Sequence, residues 1–190
     1  MAQQFDVKTV YYTASSLDGF IADRDNGLDW LFQLGDGPPG DFSSYLAQVG
    51  AIAMGATTYR WLLDNHIFAG PEAPQPWPYA QPAWVFSSRP QRAVAGADLR
   101  FVSGAVAPVH AEMAAAAAGG DLWVVGGGDL AGQFHDAGLL DEIIVDVASV
   151  TLGGGAPLLP RSIVTPPLVL ESVEQFGSAF ARLTYRVARQ

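Results

Sequence analysis

Three consecutive glycines, Gly126-Gly127-Gly128, follow the apolar run Leu122-Trp123-Val124-Val125 and lead straight into Asp129-Leu130. Glycine lets backbone amides approach a ligand closely. A helix starting there would present unpaired N–H groups at the positive end of its dipole. Phosphate or pyrophosphate suits such a turn. The same glycines would also serve a tight strand-to-helix turn that needs them only for packing. Because the run is not GxGxxG, the two readings weigh about equally.

Two further segments repeat the pattern. In Met54-Gly55-Ala56-Thr57-Thr58-Tyr59 a short apolar run meets glycine, and hydroxyls follow in the first helical turn. Thr57 or Thr58 could touch a phosphate, although taken alone either is better read as a helix cap. Ser87-Ser88-Arg89 ends another apolar run with two hydroxyls and one guanidinium, a group that can bind phosphate with two parallel hydrogen bonds. A lone Arg89 would be a solvated surface residue. Three such ends in one sheet carry more weight, because ligands of open α/β sheets gather at the carboxyl ends of the strands.

Other chemistries find little support. The chain has no cysteine, so disulfides, thiolate metal sites and a cysteine nucleophile are excluded. His66, His110 and His135 lie far apart, and no metal is expected. Ser15 and Ser16 sit in no Gly-x-Ser-x-Gly elbow. The formal net charge is −9 and Lys8 is the only lysine, which opposes a nucleic-acid binder that must track a phosphate backbone. Residues 1–9 lack an apolar signal core, and no run approaches the ~20 apolar residues of a membrane span. The chain reads as cytoplasmic.

The elements that must position these residues follow from hydrophobic patterning. Strands are expected at 7–14, 51–54, 83–86, 99–102, 122–125 and 143–150, with a closing hairpin at 168–175 and 180–187. Helices are expected from Asp41 or Ser43 through Val49, from Thr57 through Leu63, over the alanine-rich 105–118, and from the triple glycine through Ala137. The proline-rich 69–82 should be irregular. Alternating strands and helices with a terminal hairpin imply one three-layer α/β domain over 1–190 with a mostly parallel sheet.

The order Ala14-Ser15-Ser16-Leu17-Asp18-Gly19-Phe20-Ile21-Ala22, then Met54-Gly55-Ala56-Thr57-Thr58-Tyr59, then Val125-Gly126-Gly127-Gly128 resembles the dihydrofolate-reductase-like superfamily. It is most similar there to the reductase domain of the riboflavin-biosynthesis deaminase–reductase and its stand-alone relatives. Gly138-Leu139-Leu140-Asp141-Glu142-Ile143 and the later Leu152-Gly153-Gly154-Gly155-Ala156-Pro157-Leu158-Leu159 resemble that family's C-terminal signature. The resemblance runs from about Val7 to Val187.

It implies a dihydrofolate-reductase-like fold with about eight central strands, and an NADPH-type cofactor that reduces a small heterocycle or a carbonyl or imine. Ala14 and the loop of Leu17, Gly19 and Ile21 would cover the nicotinamide. Gly55, Thr57 and Thr58 would meet the adenine-side phosphates, Ser87, Ser88 and Arg89 the adenosine end, and Gly126, Gly127, Gly128, Asp129 and Leu130 the pyrophosphate. Asp18 matches a family aspartate near the substrate edge. Relatives usually carry Arg or Lys after the glycine, where Ala56 stands here. Either Arg89 takes over the 2′-phosphate, the reading preferred, or NADH is also accepted.

Reducing C=N or C=O needs a proton, for which Asp18 and Asp29 are the candidates; Asp41 reads better as a helix cap. Trp30 is the tryptophan expected to line the substrate side. The resemblance, with the apolar late strands, points to a homodimer, and no nucleic-acid or membrane partner is expected. The alternatives are a non-catalytic protein of the same fold that binds a dinucleotide or a pterin- or flavin-like ligand, and an interaction protein whose glycine turns only pack.

Overall fold

A computed structural model describes residues 7–35 and 42–188. Its elements in chain order are β1 (Thr9–Ser16), β2 (Phe20–Ala22), α1 (Asp29–Phe32), α2 (Phe42–Leu46), β3 (Val49–Gly55), α3 (Ala56–Leu62), β4 (Ala83–Phe86) and β5 (Leu99–Val102). They continue as α4 (Val106–Ala116), β6 (Asp121–Gly126), α5 (Gly128–Asp136), β7 (Glu142–Ala148), β8 (Ala156–Pro157), β9 (Val169–Phe176) and β10 (Phe180–Arg186). A π-helical turn, Leu63–Ile67, extends α3.

The main sheet has eight strands in the order β5-β4-β3-β6-β1-β7-β10-β9. Strands β5 through β7 in that order run parallel, and β10 pairs antiparallel with both β7 and β9. The parallel arrangement follows from burial on both faces, which demands the near-continuous apolar runs seen in β3, β4 and β6. Strand alternation divides the core into two layers. Tyr11, Trp84 and Val124 pack with Met113 of α4 and Phe134 of α5. Val10, Tyr12, Ile52, Met54 and Val85 pack with Tyr59 of α3 and with Leu63 and Ile67 of the π turn. The fold is therefore a three-layer α/β architecture.

Several expected bounds shift by one or two residues, as element ends commonly do. Strands β4 and β5 have the expected limits. The helix expected up to Val49 is confined to Phe42–Leu46, because Val49 already opens β3. Asp41 lies outside the described residues. Residues 69–82 form no helix or strand. Gly138, with φ +69°, turns the chain out of α5. Among the described residues no helix is long and apolar enough to cross a membrane.

Because β3, β4, β6 and β1 are parallel, their carboxyl ends share one edge of the sheet. The chain steps outward through β3, β4 and β5 and then returns with β6, which fills the slot between β3 and β1. Such a reversal leaves a crevice above the strand ends.

Candidate functional site

A cavity of about 530 Å³ occupies that crevice. Its floor is built from Thr13 on β1, Gly55 at the end of β3, Phe86 at the end of β4, and Val125 and Gly126 at the end of β6. Helix starts close two sides: Ala56, Thr57 and Thr58 of α3, and Gly127, Gly128, Asp129 and Leu130 at α5. A further wall, which adjoins α5 at Gly128, carries Ile21 and Ala22 from β2, Ala156 and Pro157 from β8, and Pro160. A volume of this size falls in the ordinary range for small-molecule and cofactor sites.

The three glycines of the turn have three separate jobs. Gly126 adopts φ +149°, a backbone conformation that side chains disfavour. Gly127, with φ −81°, is the N-cap of α5, and a Cβ there would meet only Ile21 Cδ1 at 3.9 Å. Its missing side chain is open cavity. Gly128 is different, since a Cβ would lie 2.3 Å from the carbonyl oxygens of Pro157 and Leu158. Packing requires glycine at 128; the cavity benefits from glycine at 127.

Neither helix start is satisfied by its own side chains. Gly55 caps α3 and Gly127 caps α5, each in extended conformation and without a side-chain hydrogen bond to the first turn. Thr57 and Thr58 therefore do not cap α3. The Thr57 hydroxyl instead accepts from Arg60 Nη2 at 3.4 Å. Two sets of first-turn amides, each with the positive end of its dipole, are left to meet whatever enters the cavity.

Asp129 is the only ionisable side chain among the described lining residues, and it is engaged. It accepts from Arg161 Nη1 at 3.1 Å and Gln133 Nε2 at 2.9 Å, while Arg161 also donates to Asp136 at 2.7 Å. Gly132 makes room for that guanidinium against α5. Arg161 thus staples the first and last turns of the helix.

The other expected residues do not line the cavity. Ala14 lies one residue beyond Thr13, Leu17 is exposed, and Gly19 lies in the loop before β2. Ser87 is half-buried, whereas Ser88 and Arg89 are exposed just past Phe86. Asp29 is exposed in the first turn of α1. Trp30 is buried against Ala148 and Phe180, and Leu28 takes the lining position beside it.

Asp18 accepts from Ser16 Oγ at 2.6 Å, from Leu152 N–H at 3.0 Å and from Gly153 N–H at 2.7 Å. The Ser16 hydroxyl, followed by those amides, lowers its pKa to about 2. A depressed carboxylate stabilises the fold above its unfolded pKa near ~3.9 and loses that contribution only as pH falls toward the folded value. Asp18 is an anion throughout the neutral range. A general acid requires the reverse shift.

Sequence reasoning missed the wall formed by Ala22, Ala156, Pro157 and Pro160, together with Asn26, Trp61 and Gln133. One signal pointed there: Leu152-Gly153-Gly154-Gly155-Ala156-Pro157 has the glycine content of a close backbone approach, and a Cβ on Gly155 would sit 2.0 Å from the Ala22 carbonyl oxygen. It also missed a buried cluster. Asp146 on β7 accepts from Arg182 Nε at 2.7 Å and from Tyr12 Oη at 2.8 Å. Among the described residues no group of three or more His, Cys, Asp or Glu side chains could hold a metal ion.

A parallel sheet with a closing antiparallel hairpin and a carboxyl-edge cavity bounded by two uncapped helix starts is the dihydrofolate-reductase-like fold. The chain belongs to the RibD C-terminal domain family, whose model matches residues 8–181. Uncharacterized protein YwjB of Bacillus subtilis (strain 168) is 30% identical over 175 residues, which cover 90% of this chain and 94% of that one. A solved protein of Shewanella sp. PV-4, provisionally assigned to riboflavin biosynthesis, has 26% identity and a TM-score of 0.77, covering 96% of this chain and all (100%) of that chain. Dihydrofolate reductase of Enterococcus faecalis, solved with NADP(H) bound, shares the fold at a TM-score of 0.59 and 17% identity, covering 96% of each chain.

Proposed function

We propose that this chain, acting as one domain over residues 1–190, is a reductase that takes NADPH and reduces a small heterocyclic, carbonyl or imine substrate. One observation carries the reading: two neighbouring helix starts, capped by Gly55 and Gly127 without side-chain partners, open on one cavity beside Gly126. The fit of a dinucleotide is supported by the open space at Gly127, which admits a pyrophosphate to the α5 amides. When bound, the cofactor supplies the hydride; the protein supplies orientation and electrostatics.

The chain's own residues have separable roles. The α5 amides, with Gly127, hold the pyrophosphate. Ala56, Thr57 and Thr58 receive the adenine-side phosphates. Ile21 and Ala22 exclude water from the β2–β8 wall, with Thr13 at the floor. The proton needed for reduction enters through water or a hydroxyl, because Asp129 is paired with Arg161. That shortage of acids also favours a second reading, a binding protein of the same fold that holds the dinucleotide or a pterin- or flavin-like ligand without turnover. A cytoplasmic setting and a homodimer belong to this proposal.

Discrimination between coenzymes falls to the arginines. Among the described residues Arg24, Arg60, Arg89 and Arg92 make no ion pair, and three of these lie on α3 or just after β4. Gly55 and Phe86 are paired in register, so the segments carrying Ala56 and Arg89 leave the sheet side by side. In calorimetric titrations the protein is expected to bind NADPH more tightly than NADH. A charge-assisted hydrogen bond of ~1.5–3 kcal/mol sets the scale, so Arg89→Ala weakens NADPH by roughly tenfold or more and leaves NADH unchanged. Equal losses for both coenzymes contradict that assignment. Failure of the wild type to bind either contradicts the function. Consumption of reduced nicotinamide in a screen of acceptors separates the enzyme from the binding protein.

A further inference from the structure

The wall that adjoins α5 at Gly128 is made of two segments far apart in the chain, 17–24 and 150–158. They are zipped together. Leu17 N–H donates to the Val150 carbonyl at 2.7 Å, and Leu158 N–H donates to the Gly19 carbonyl at 2.9 Å. Strands β2 and β8 pair antiparallel, and Arg24 Nη2 donates to the Gly153 carbonyl at 3.0 Å. Asp18 supplies the side-chain carboxylate of this seam, taking the amides of Leu152 and Gly153 while Ser16 Oγ donates to it and accepts from Phe20 N–H.

Each half of the seam presents residues to the cavity: Ile21 and Ala22 from one, Ala156 and Pro157 from the other. The second half also abuts α5, since the Pro157 and Leu158 carbonyls fill the space at Gly128. The second half is thus seated on the glycine turn by its own backbone contact, and the first half, which carries Ile21 and Ala22, is held to it through the seam. Leu17 and Asp18 are exposed, so at this end of the seam hydrogen bonds join the two segments.

We propose that Asp18 is a positioning residue that locks the two segments into one wall and thereby sets how long a dinucleotide stays in the cavity. The inference rests on the dinucleotide reading above. It gives the conspicuous aspartate a role distinct from proton donation, because an ion that receives a hydroxyl and two amides serves as an anchor for backbone.

The test uses NADPH itself, with stopped-flow tryptophan fluorescence for the dissociation rate, calorimetry for Kd, and amide hydrogen exchange. Asp18→Ala is expected to raise both Kd and dissociation rate by about tenfold, with exchange at Leu152 and Gly153 accelerated and β1 and β6 still protected. Asp18→Asn, which keeps one acceptor oxygen, should restore part of the affinity. A purely structural role would lower the melting temperature and leave Kd unchanged when measured well below it. That result, or unaltered protection at 152–153, overturns the proposal. Should Asp18→Ala not fold, Ser16→Ala removes one donor to Asp18 and is read in the same way, a slower release or an unchanged one counting against the inference. Wild-type protein that binds no NADPH overturns the dinucleotide reading as well, whereas unchanged binding in the variants overturns this inference alone.

Discussion

Gly127→Ala is expected to leave the protein folded and to weaken dinucleotide binding, whereas Gly128→Ala is expected to damage the fold. The two residues are adjacent and chemically identical, so the contrast isolates geometry. At 127 the added methyl meets only the tip of Ile21 at 3.9 Å, and φ of −81° suits any residue. No atom beyond its two chain neighbours and the tip of Ile21 comes within 4 Å of it. The methyl instead occupies space through which a pyrophosphate would reach the α5 amides. Overpacking of this kind costs ~1–3 kcal/mol, so the NADPH Kd should rise on the order of tenfold to a hundredfold.

At 128 the methyl would lie 2.3 Å from two backbone carbonyl oxygens, those of Pro157 and Leu158. Neither can rotate aside, and both belong to the seam that forms the β2–β8 wall. A loss of ~3 kcal/mol or more is expected, at the upper end of overpacking penalties. Thermal melting and an NADPH titration on both variants check the pair. Equal melting temperatures for the two, or undiminished binding by Gly127→Ala, would contradict this division of labour.

The second large effect concerns the buried cluster of Tyr12, Asp146 and Arg182. The Asp146 side chain is 2% exposed and that of Arg182 16%, and Arg182 forms two hydrogen bonds to the carboxylate, at 2.7 and 2.9 Å. Tyr12 donates to the same carboxylate, and its hydroxyl also accepts from Arg182 Nη2. Burial, followed by the charge of Asp146, raises the Tyr12 pKa, so the phenol remains a donor at neutral pH. The three groups tie β1, β7 and β10 together across the sheet.

Removing one partner strands a charge away from water, at a cost of ~3–5 kcal/mol. Asp146→Ala or Arg182→Ala should therefore lower the melting temperature by roughly 6–20 °C in a chain of this length. The double variant Asp146→Leu with Arg182→Met should recover much of that loss, because a packed apolar pair replaces a desolvated ionic one. Thermal or denaturant unfolding of the three variants decides the matter. Losses that simply add in the double variant would show that the pair is not coupled.

Much of the sheet could be read from the sequence because strands buried on both faces advertise themselves as short apolar runs between turn residues. The segments 83–86 and 99–102 are such runs, and the folded strands share their limits. Strands β2 and β8 carry no such pattern. They are three and two residues long and exist only because distant segments pair. The same nonlocality hid the wall of the cavity. Asp18 was conspicuous in sequence, yet its role depends on amides at 152 and 153 that local patterning cannot place.

The glycine run shows a different limit. Its composition announced a close approach of backbone to something, but it is the fold that turns Gly128 toward backbone and Gly127 toward open space. Trp30 likewise has the size and polarity of a pocket wall, but packing against Ala148 and Phe180 claims it for the core. The pair Asp146 and Arg182 went unread because cross-strand register, not spacing along the chain, brings them together.

A crystal structure of the protein grown with NADPH tests the central claim most directly. Continuous density should run through the cavity, with pyrophosphate oxygens within ~3 Å of the amides that open α5 and with further phosphate contacts at the start of α3. A dinucleotide bound elsewhere, or a cavity filled only by solvent under saturating NADPH, would contradict the account.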